Sequence, residues 1–252
     1  LSATKTAVQD NYGQNDSITY IISIVNAGNT AFNGLTIEDN LGSYTFNTTT
    51  LTPLTYVNNT IKYYINGILQ PTPAVTPGPP LTITGISVPA NGNTTIVYEA
   101  ALNEYAPVAT ESEITNTATI TGGGITPITV DETVEALSEP ILSITKSVSP
   151  VPVTENGTLT YTFLIQNNGN TAADITDALT VTDTFDPKLT NLSVSFNGTA
   201  WSEPTNYTYD ETTGLFSTVP GQITVPAATF TQDPTTGSWI VTPGTSTLTV
   251  TG

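Results

Sequence analysis

The sequence predicts an all-β protein made of two β-sandwich domains in tandem, and three observations support this. Thr, Asn, Ser, Val and Ile dominate, with 19 Gly and 18 Pro between them, a mixture that favours strands joined by turns. No stretch shows a sustained helical period. The third observation is an internal repeat. At 252 residues the chain is long enough for two ordinary domains, each with its own core.

The repeat is visible in two segments of the same pattern. The first, LSATKTAVQDNYGQNDSITYIISIVNAGNTA, starts at Leu1, and the second, LSITKSVSPVPVTENGTLTYTFLIQNNGNTA, starts at Leu142. Lys5 matches Lys146 at an offset of 141, which is 146 minus 5. A repeat of this kind indicates two copies of one module, and we predict their bounds as 1–138 and 139–252.

The two modules end differently. The segment 86–100 corresponds to 239–252, but module one then continues through SEITNTATIT (112–121), which has no counterpart in module two. A sandwich without its terminal strand exposes a sheet edge and part of its core. We therefore expect another segment to complete module two.

Composition excludes several classes of function. The net charge of −17 repels phosphate backbones and anionic lipids, so we expect neither nucleic acid nor membrane insertion. Cysteine and histidine are absent, which removes thiolate chemistry, disulfides and the commonest general base and metal ligand. We expect no cofactor, no metal and no turnover of an external substrate. The loop 9–16 carries acids that could bind calcium, although a solvated turn explains it more simply.

Three polar residues of module one fall on the apolar side of predicted strands. Lys5 lies on the first strand, Asp39 in LTIEDNL (35–41), and Asn116 in what we predict to be the last strand. The alternation turns Glu38, the competing acid, outward. In module two LTVTDTF (179–185) matches LTIEDNL, so Asp183 corresponds to Asp39.

This set is what a spontaneous Lys–Asn isopeptide bond requires. Burial disfavours the lysine ammonium, so the neutral amine becomes a nucleophile towards the asparagine carboxamide. Ammonia leaves, and the acid carries protons without being consumed, so each domain would act once on itself. Simpler explanations remain open: lysine and acid form a buried ion pair, lysine snorkels from a strand end, or Asn116 is a satisfied core amide.

The sequence resembles the bacterial surface repeat called domain of unknown function eleven. The resemblance lies in the turns NAGNTA (26–31) and NNGNTA (167–172), the inward lysine and acid, and the segment TNTAT (115–119). The pattern is also similar to the immunoglobulin-like domains of Gram-positive pilins and adhesins. The resemblance implies an extracellular β-sandwich on a cell or spore surface, with Lys5, Asp39 and Asn116 as the reacting residues.

Module two departs from that pattern because it has the lysine and the acid without the asparagine strand. Its other asparagines stand in turn-like or loop settings; they are Asn156, Asn191, Asn197 and Asn206. We expect the missing strand to come from the next copy of the chain and its asparagine to react with Lys146, giving a head-to-tail polymer. The repeat predicts a donor extension upstream of Leu1.

Two alternatives stay open. The chain is a stalk of a cell-surface adhesin that presents a ligand site on loops such as 70–80 or 200–220. Otherwise it is cut from a longer array, and the residues that follow complete module two within the same chain.

Overall fold

The structure, a computed structural model, describes residues 1–252 and confirms the predicted all-β class. The strands up to the end of the first module are β1 (Ser2–Ala7), β2 (Asn11–Tyr12), β3 (Ser17–Asn26), β4 (Phe32–Asp39), β5 (Tyr44–Phe46), β6 (Thr49–Leu51), β7 (Leu54–Tyr56), β8 (Lys62–Ile65), β9 (Ile68–Gln70), β10 (Ala74–Thr76), β11 (Leu81–Val88), β12 (Gly92–Leu102), β13 (Glu113–Gly122) and β14 (Ile128–Ala136).

The strands that follow are β15 (Leu142–Ser149), β16 (Thr160–Asn167), β17 (Thr182–Thr184), β18 (Ser193–Phe196), β19 (Thr199–Trp201), β20 (Tyr207–Asp210), β21 (Leu215–Thr218), β22 (Thr229–Gln232), β23 (Trp239–Thr242) and β24 (Gly244–Thr251). One short 3-10 helix spans Ile175–Asp177, and no helix is long enough to cross a membrane. The segments 70–80 and 200–220, which the sequence suggests as loops, contain β10, β20 and β21.

Contacts divide the chain into two compact units. Unit 1 comprises 1–137 with 231–240, and unit 2 comprises 138–230 with 241–252. The segment 231–240, which we assigned to module two, therefore lies in unit 1. The module bounds 1–138 and 139–252 remain a prediction.

Unit 1 is built on two six-stranded sheets with its core between them, and β5 and β6 form a separate two-stranded sheet. One has the order β1-β3-β12-β8-β9, with β7 also paired to β12, and the other has the order β10-β11-β4-β13-β14-β2. Strand β3 shows the period of two that builds this core, because every second side chain from Ile18 to Asn26 is buried. Residues of both sheets form one continuous apolar cluster.

The strand that carries Asn116 is not the last strand of its module, so that prediction is wrong. β13 continues through Gly122, Gly123 and Gly124, all with positive φ, and the chain reverses into β14. Glycine adopts this conformation without the steric cost that other residues incur. β14 pairs with β13 antiparallel, with Glu132 opposite Asn116. Asn116 is therefore on the penultimate strand.

Unit 2 repeats the first sheet and only part of the second. Its five-stranded sheet, β15-β16-β24-β18-β19, follows the order of β1-β3-β12-β8-β9. Its other sheet is β17-β21-β20, in which β17 takes the place of β4. β4 pairs with β11 on one side and β13 on the other, whereas β17 pairs only with β21. The second sandwich therefore lacks the strand predicted to be missing.

The consequence is visible on β15, where every residue is exposed. In unit 1 the corresponding strand β1 buries Lys5. The apolar side of β15 remains uncovered, with Ile144 51% exposed. Lys146 is therefore not buried as the alternation predicted. In unit 1 the lysine strand β1 contacts β14, and unit 2 has no counterpart of β14.

Candidate functional site

The structure brings Lys5, Asp39 and Asn116 into one buried cluster of unit 1. Lys5 projects from β1 in one sheet, and the other two residues belong to adjacent strands of the opposite sheet. Asp39 pairs in register with Ala118, and Asn116 lies two residues before Ala118, so both side chains point to the same face. All three residues are at most 4% exposed. Glu38 is exposed, as its position in the alternation predicted.

Lys5 and Asp39 form a close ion pair. Lys5 Nζ donates a hydrogen bond to Asp39 Oδ2 at 2.6 Å, and Leu41 N donates to Asp39 Oδ1 at 3.0 Å. Nζ also lies 4.9 Å from the centre of the Tyr20 ring. Burial lowers the pKa of Lys5 to about 8, although the Asp39 carboxylate opposes that shift. The neutral amine is therefore far more accessible at neutral pH than in an ordinary lysine.

Tyr98, which sequence reasoning missed, connects the acid to the asparagine. Its hydroxyl donates to Asp39 Oδ2 at 2.5 Å and accepts from Asn116 Nδ2 at 3.2 Å. Burial raises the pKa of Tyr98 well above its usual value, so the hydroxyl keeps its proton. Tyr98 lies on β12 opposite Tyr20, and the two rings stack with centroids 5.6 Å apart.

The Asn116 carbonyl has no hydrogen-bond partner. Asn116 Oδ1 is buried and unpaired, and so is the hydroxyl of Tyr20. An unpaired buried polar group costs about 1–3 kcal/mol, so the asparagine is not a satisfied core amide. Conversion of the ammonium and the carboxamide into one neutral amide would remove a buried charge pair.

Two other buried asparagines show what a satisfied amide looks like in this fold. Asn26 donates to Thr30 O at 2.8 Å and to Pro89 O at 2.9 Å, and accepts from Gly28 N at 3.0 Å. Asn167 repeats the arrangement in module two by donating to Thr171 O. The N-x-G-N-T-A turns are thus structural, whereas Asn116 is left half-paired.

Module two holds a more open version of the pair. Lys146 forms an ion pair with Asp183, with side chains 41% and 18% exposed, against 0% for both Lys5 and Asp39. Lys146 Nζ lies 4.7 Å from the centre of the Tyr161 ring. Asp183 is on β17, the strand with the open edge.

No asparagine strand of the chain reaches this pair. Asn156, Asn191 and Asn197 have left-handed φ values of turn residues. Asn206 is also engaged locally, because its side chain bonds Ser202 N and Gln222.

An apolar cavity of about 170 Å³ lies beside the open edge, between β15 and the segment that leads into β17. Its lining is Leu142, Ser143, Ile144, Ile165, Leu179, Thr180, Val181 and Ile223. An apolar cavity beside a strand that is paired on one side only suits the side chains of an added strand, whose backbone groups can pair with the free edge.

The loop 9–16 forms a local turn. The Asp16 carboxylate accepts a hydrogen bond from Gly13 N at 2.7 Å. The turn that composition favoured is therefore present in this segment, directly after β2.

No protein-family model matches the chain, and no curated protein matches it. The resemblance to domain of unknown function eleven is therefore not confirmed. Solved structures of Gram-positive surface proteins are similar. The C-terminal domain of the Streptococcus pyogenes antigen I/II-family protein AspA shares 12% identity, with 100% of this chain and 90% of that chain covered and a TM-score of 0.37.

The Corynebacterium diphtheriae major pilin SpaD shares 13% identity over 96% of this chain and 58% of its own, with a TM-score of 0.39. The Streptococcus pneumoniae pilus backbone RrgB shares 12% identity over 96% of this chain and 54% of its own, with a TM-score of 0.37. All these TM-scores lie below 0.5, too low for the similarity to assign a function to the chain.

Proposed function

We propose that the chain is a structural subunit of an extracellular filament on a bacterial surface, locked by Lys–Asn isopeptide bonds. The observation that carries this proposal is the buried cluster of Lys5, Asp39, Tyr98 and Asn116 in one module, beside a second module that repeats the lysine and the acid and leaves a strand edge open.

In module one the bond forms within the chain. Lys5 Nζ attacks Cγ of Asn116, the C–Nδ2 bond breaks, and the nitrogen leaves as ammonia. Asp39 takes the proton that makes the lysine nucleophilic, and this proton goes on to the departing nitrogen. The second proton that the lysine nitrogen loses stays on Asp39, so no buried charge remains at the end. The reaction happens once in each domain and is not turnover. The lowered pKa of Lys5 supports its role as the nucleophile.

The bond would strengthen the domain under tension. It joins β1 to β13 and so removes the chain between residues 5 and 116 from the path of a pulling force. By analogy with a disulfide, closing a loop of about a hundred residues contributes roughly 4–5 kcal/mol. β14 follows β13 in the chain and therefore lies outside the closed loop. A pulling force can still separate β14 from β13.

In module two the bond forms between chains. A strand of the neighbouring copy adds to β17 as β13 adds to β4, antiparallel and with alternate side chains in the apolar cavity. We take the register of this strand from the pairing of β13 with β4 in unit 1. Its residue opposite Asp183 stands where Ala118 stands opposite Asp39, and its asparagine lies two residues earlier, facing Lys146. Because the contact is heterologous, it repeats along a filament.

The test is a mass analysis of the native material after boiling in denaturant, with proteolytic mapping of crosslinked peptides. The proposal predicts a ladder of multiples in which Lys146 is joined to an asparagine of another chain. Lys146→Arg, which keeps the charge, should abolish the ladder and leave the crosslink in module one. Lys146 joined to an asparagine of its own chain would contradict the filament, and so would a single unlinked species.

A further inference from the structure

The hydroxyl of Tyr98 stands between the two groups that must exchange a proton. Asp39 Oδ2 accepts from Lys5 Nζ at 2.6 Å and from Tyr98 at 2.5 Å, and Asn116 Nδ2 is 3.2 Å from the same hydroxyl oxygen. Asp39 makes no hydrogen bond with Asn116; its other bond is to Leu41 N. Tyr98 is therefore the one residue whose hydrogen bonds reach both the acid and the nitrogen that leaves.

We propose that Tyr98 is a catalytic residue of the isopeptide reaction, which passes the proton collected by Asp39 to the departing nitrogen of Asn116. This inference rests on the proposed function and adds a residue to it. The hydroxyl contacts a reacting atom, and its ring stacks on Tyr20, so it is held in place before the reaction.

The protons balance along this path. Lys5 gives one proton to Asp39, and its neutral amine bonds to Asn116 Cγ with negative charge developing on Oδ1. Protonated Asp39 then donates to the Tyr98 oxygen while Tyr98 donates its own proton to Nδ2. The C–Nδ2 bond breaks and Oδ1 regains its double bond. The proton left on the former lysine nitrogen passes to Asp39, which ends as a neutral carboxylic acid, and the neutral ammonia departs. Tyr98 ends as a neutral phenol.

Two features favour the relay over direct transfer. All four side chains are buried, so water is a poor source of the proton. The phenol never has to become a phenolate, because it gains a proton from Asp39 as it gives one away. This agrees with its raised pKa, which makes a lasting phenolate unfavourable.

Module two lacks the relay. In unit 1 Tyr98 pairs with Tyr20 across β12 and β3, and in unit 2 the residue opposite Tyr161 is Val250. Tyr161 is the counterpart of Tyr20 at the repeat offset of 141. Lys146 and Asp183 therefore have no tyrosine beside them at this position. The inference predicts that a crosslink at Lys146 forms more slowly than the one at Lys5, unless the donor strand brings its own hydroxyl.

The experiment follows the loss of ammonia in the full chain by mass spectrometry, for the wild type and Tyr98→Phe. Removal of one proton-transfer partner should slow formation of the Lys5–Asn116 bond by at least about 100-fold. The matched control is Tyr12→Phe, which removes another buried hydroxyl of unit 1 whose hydrogen bond goes to Pro107 O at 2.7 Å and not to Asp39 or Asn116. Its rate should stay within about twofold of the wild type.

A pH profile separates a relay from a packing effect. The titratable groups around the cluster are Lys5, Tyr12, Tyr20, Asp39, Tyr98, Asp131 and Glu132. With the relay the wild-type rate should be flat up to about pH 8, since the proton is supplied by the lysine itself. In Tyr98→Phe the proton must come from solvent, so the rate should fall about tenfold for each pH unit. A packing defect would slow the reaction equally at every pH.

Each outcome has one meaning. A wild type at full sequence mass overturns the proposed function. A wild type that loses ammonia while Tyr98→Phe does so at the same rate, with the same pH profile, overturns only the role of Tyr98. If circular dichroism shows that Tyr98→Phe does not fold, a second variant carries a fluorinated tyrosine at position 98. This residue keeps the ring and the hydroxyl, and the fluorine makes the hydroxyl more acidic. The relay predicts a changed rate for that chain, and an unchanged rate contradicts it.

Discussion

The two units contain the same lysine–acid pair in different surroundings. Lys5 and Asp39 are fully enclosed in a module where β13 pairs with β4 and β14 contacts β1, while Lys146 and Asp183 remain partly exposed in a module that has neither strand. Module one also has Tyr98 and Asn116 in contact with the pair, and module two has Val250 and no asparagine. β13 supplies the electrophile, and the burial that lowers the pKa of Lys5 occurs in a module that has both β13 and β14. A lysine–acid pair alone is only an ion pair.

The largest expected difference between the units is the loss in free energy of unfolding when the acid, Asp39 or Asp183, is replaced by alanine. In chains that also carry Asn116→Ala, so that no crosslink forms, Asp39→Ala leaves the Lys5 ammonium buried without a counter-ion. We expect a loss of about 3–5 kcal/mol in the free energy of unfolding of unit 1. Asp183→Ala should cost unit 2 less than about 1 kcal/mol, because Lys146 reaches water. Urea unfolding, followed by hydrogen exchange of β3 and β16, measures both. Equal losses would contradict the contrast in burial.

A peptide with the sequence of β13 should bind at the open edge of module two and give it the strand that module one has beside its acid. EITNTATITG, residues 113–122, added to the full chain should occupy the edge of β17 and stabilise unit 2 by about 2.7 kcal/mol at a hundred times its dissociation constant. Slow joining to Lys146 with loss of ammonia should follow.

The control peptide replaces the asparagine by alanine. It should raise the melting temperature of unit 2 to a similar extent and never become covalently attached. If neither peptide changes the melting temperature, the open edge does not accept a strand of this sequence.

Stability of the unreacted module should depend on pH through Lys5. Its pKa is lowered to about 8 in the folded state from 10.5, so the unfolded state binds more protons between these values. The free energy of unfolding of the Asn116→Ala chain should therefore rise between about pH 8 and pH 10, by on the order of 2 kcal/mol. Above about pH 10 the raised pKa of Tyr98 acts in the opposite direction, because the unfolded state then loses the tyrosine proton.

Lys5→Met in the Asn116→Ala chain should remove the rise in the free energy of unfolding. Thermal melts between about pH 8 and pH 10 measure this difference. A chain whose crosslink has formed should not show it either, because the lysine no longer titrates. A rise that persists in the methionine variant would assign the effect to another group.

The smallest expected change in stability comes from a substitution on the exposed apolar side of β15. Ile144→Ser should change the free energy of unfolding of the free chain by no more than about 0.5 kcal/mol, because the side chain is 51% exposed. With the donor peptide bound, the same substitution should weaken binding measurably by calorimetry. Equal peptide affinities for the two chains would mean that the strand does not cover this face.

Much of the fold is predictable because strand alternation and the repeat are local signals. The period of two identified the inward faces of Lys5, Asp39 and Asn116 and turned Glu38 outward, and the structure agrees at each position. The missing counterpart of SEITNTATIT predicted the open edge of β17. These inferences needed only the sequence, because burial on one face of a strand constrains every second residue.

Other features depend on pairings between distant segments. β14 follows the strand that we predicted to be the last of module one, and only the sheet order shows that it adds beyond β13. Tyr98 gave no signal, since tyrosine is common in strands and this one has no tyrosine counterpart in the repeat. Lys146 shares the alternation of Lys5, but its exposure is determined by a strand that its own segment does not contain.

Peptide mapping of the boiled, denatured chain tests whether module one has reacted with itself. The isopeptide proposal predicts a wild-type chain lighter than its sequence mass by one ammonia, a branched peptide that joins Lys5 to Asn116, and full sequence mass for Asn116→Ala. A wild-type chain at full sequence mass, with Lys5 and Asn116 recovered in separate linear peptides, would contradict it and leave the cluster as a buried ion pair beside a half-paired amide.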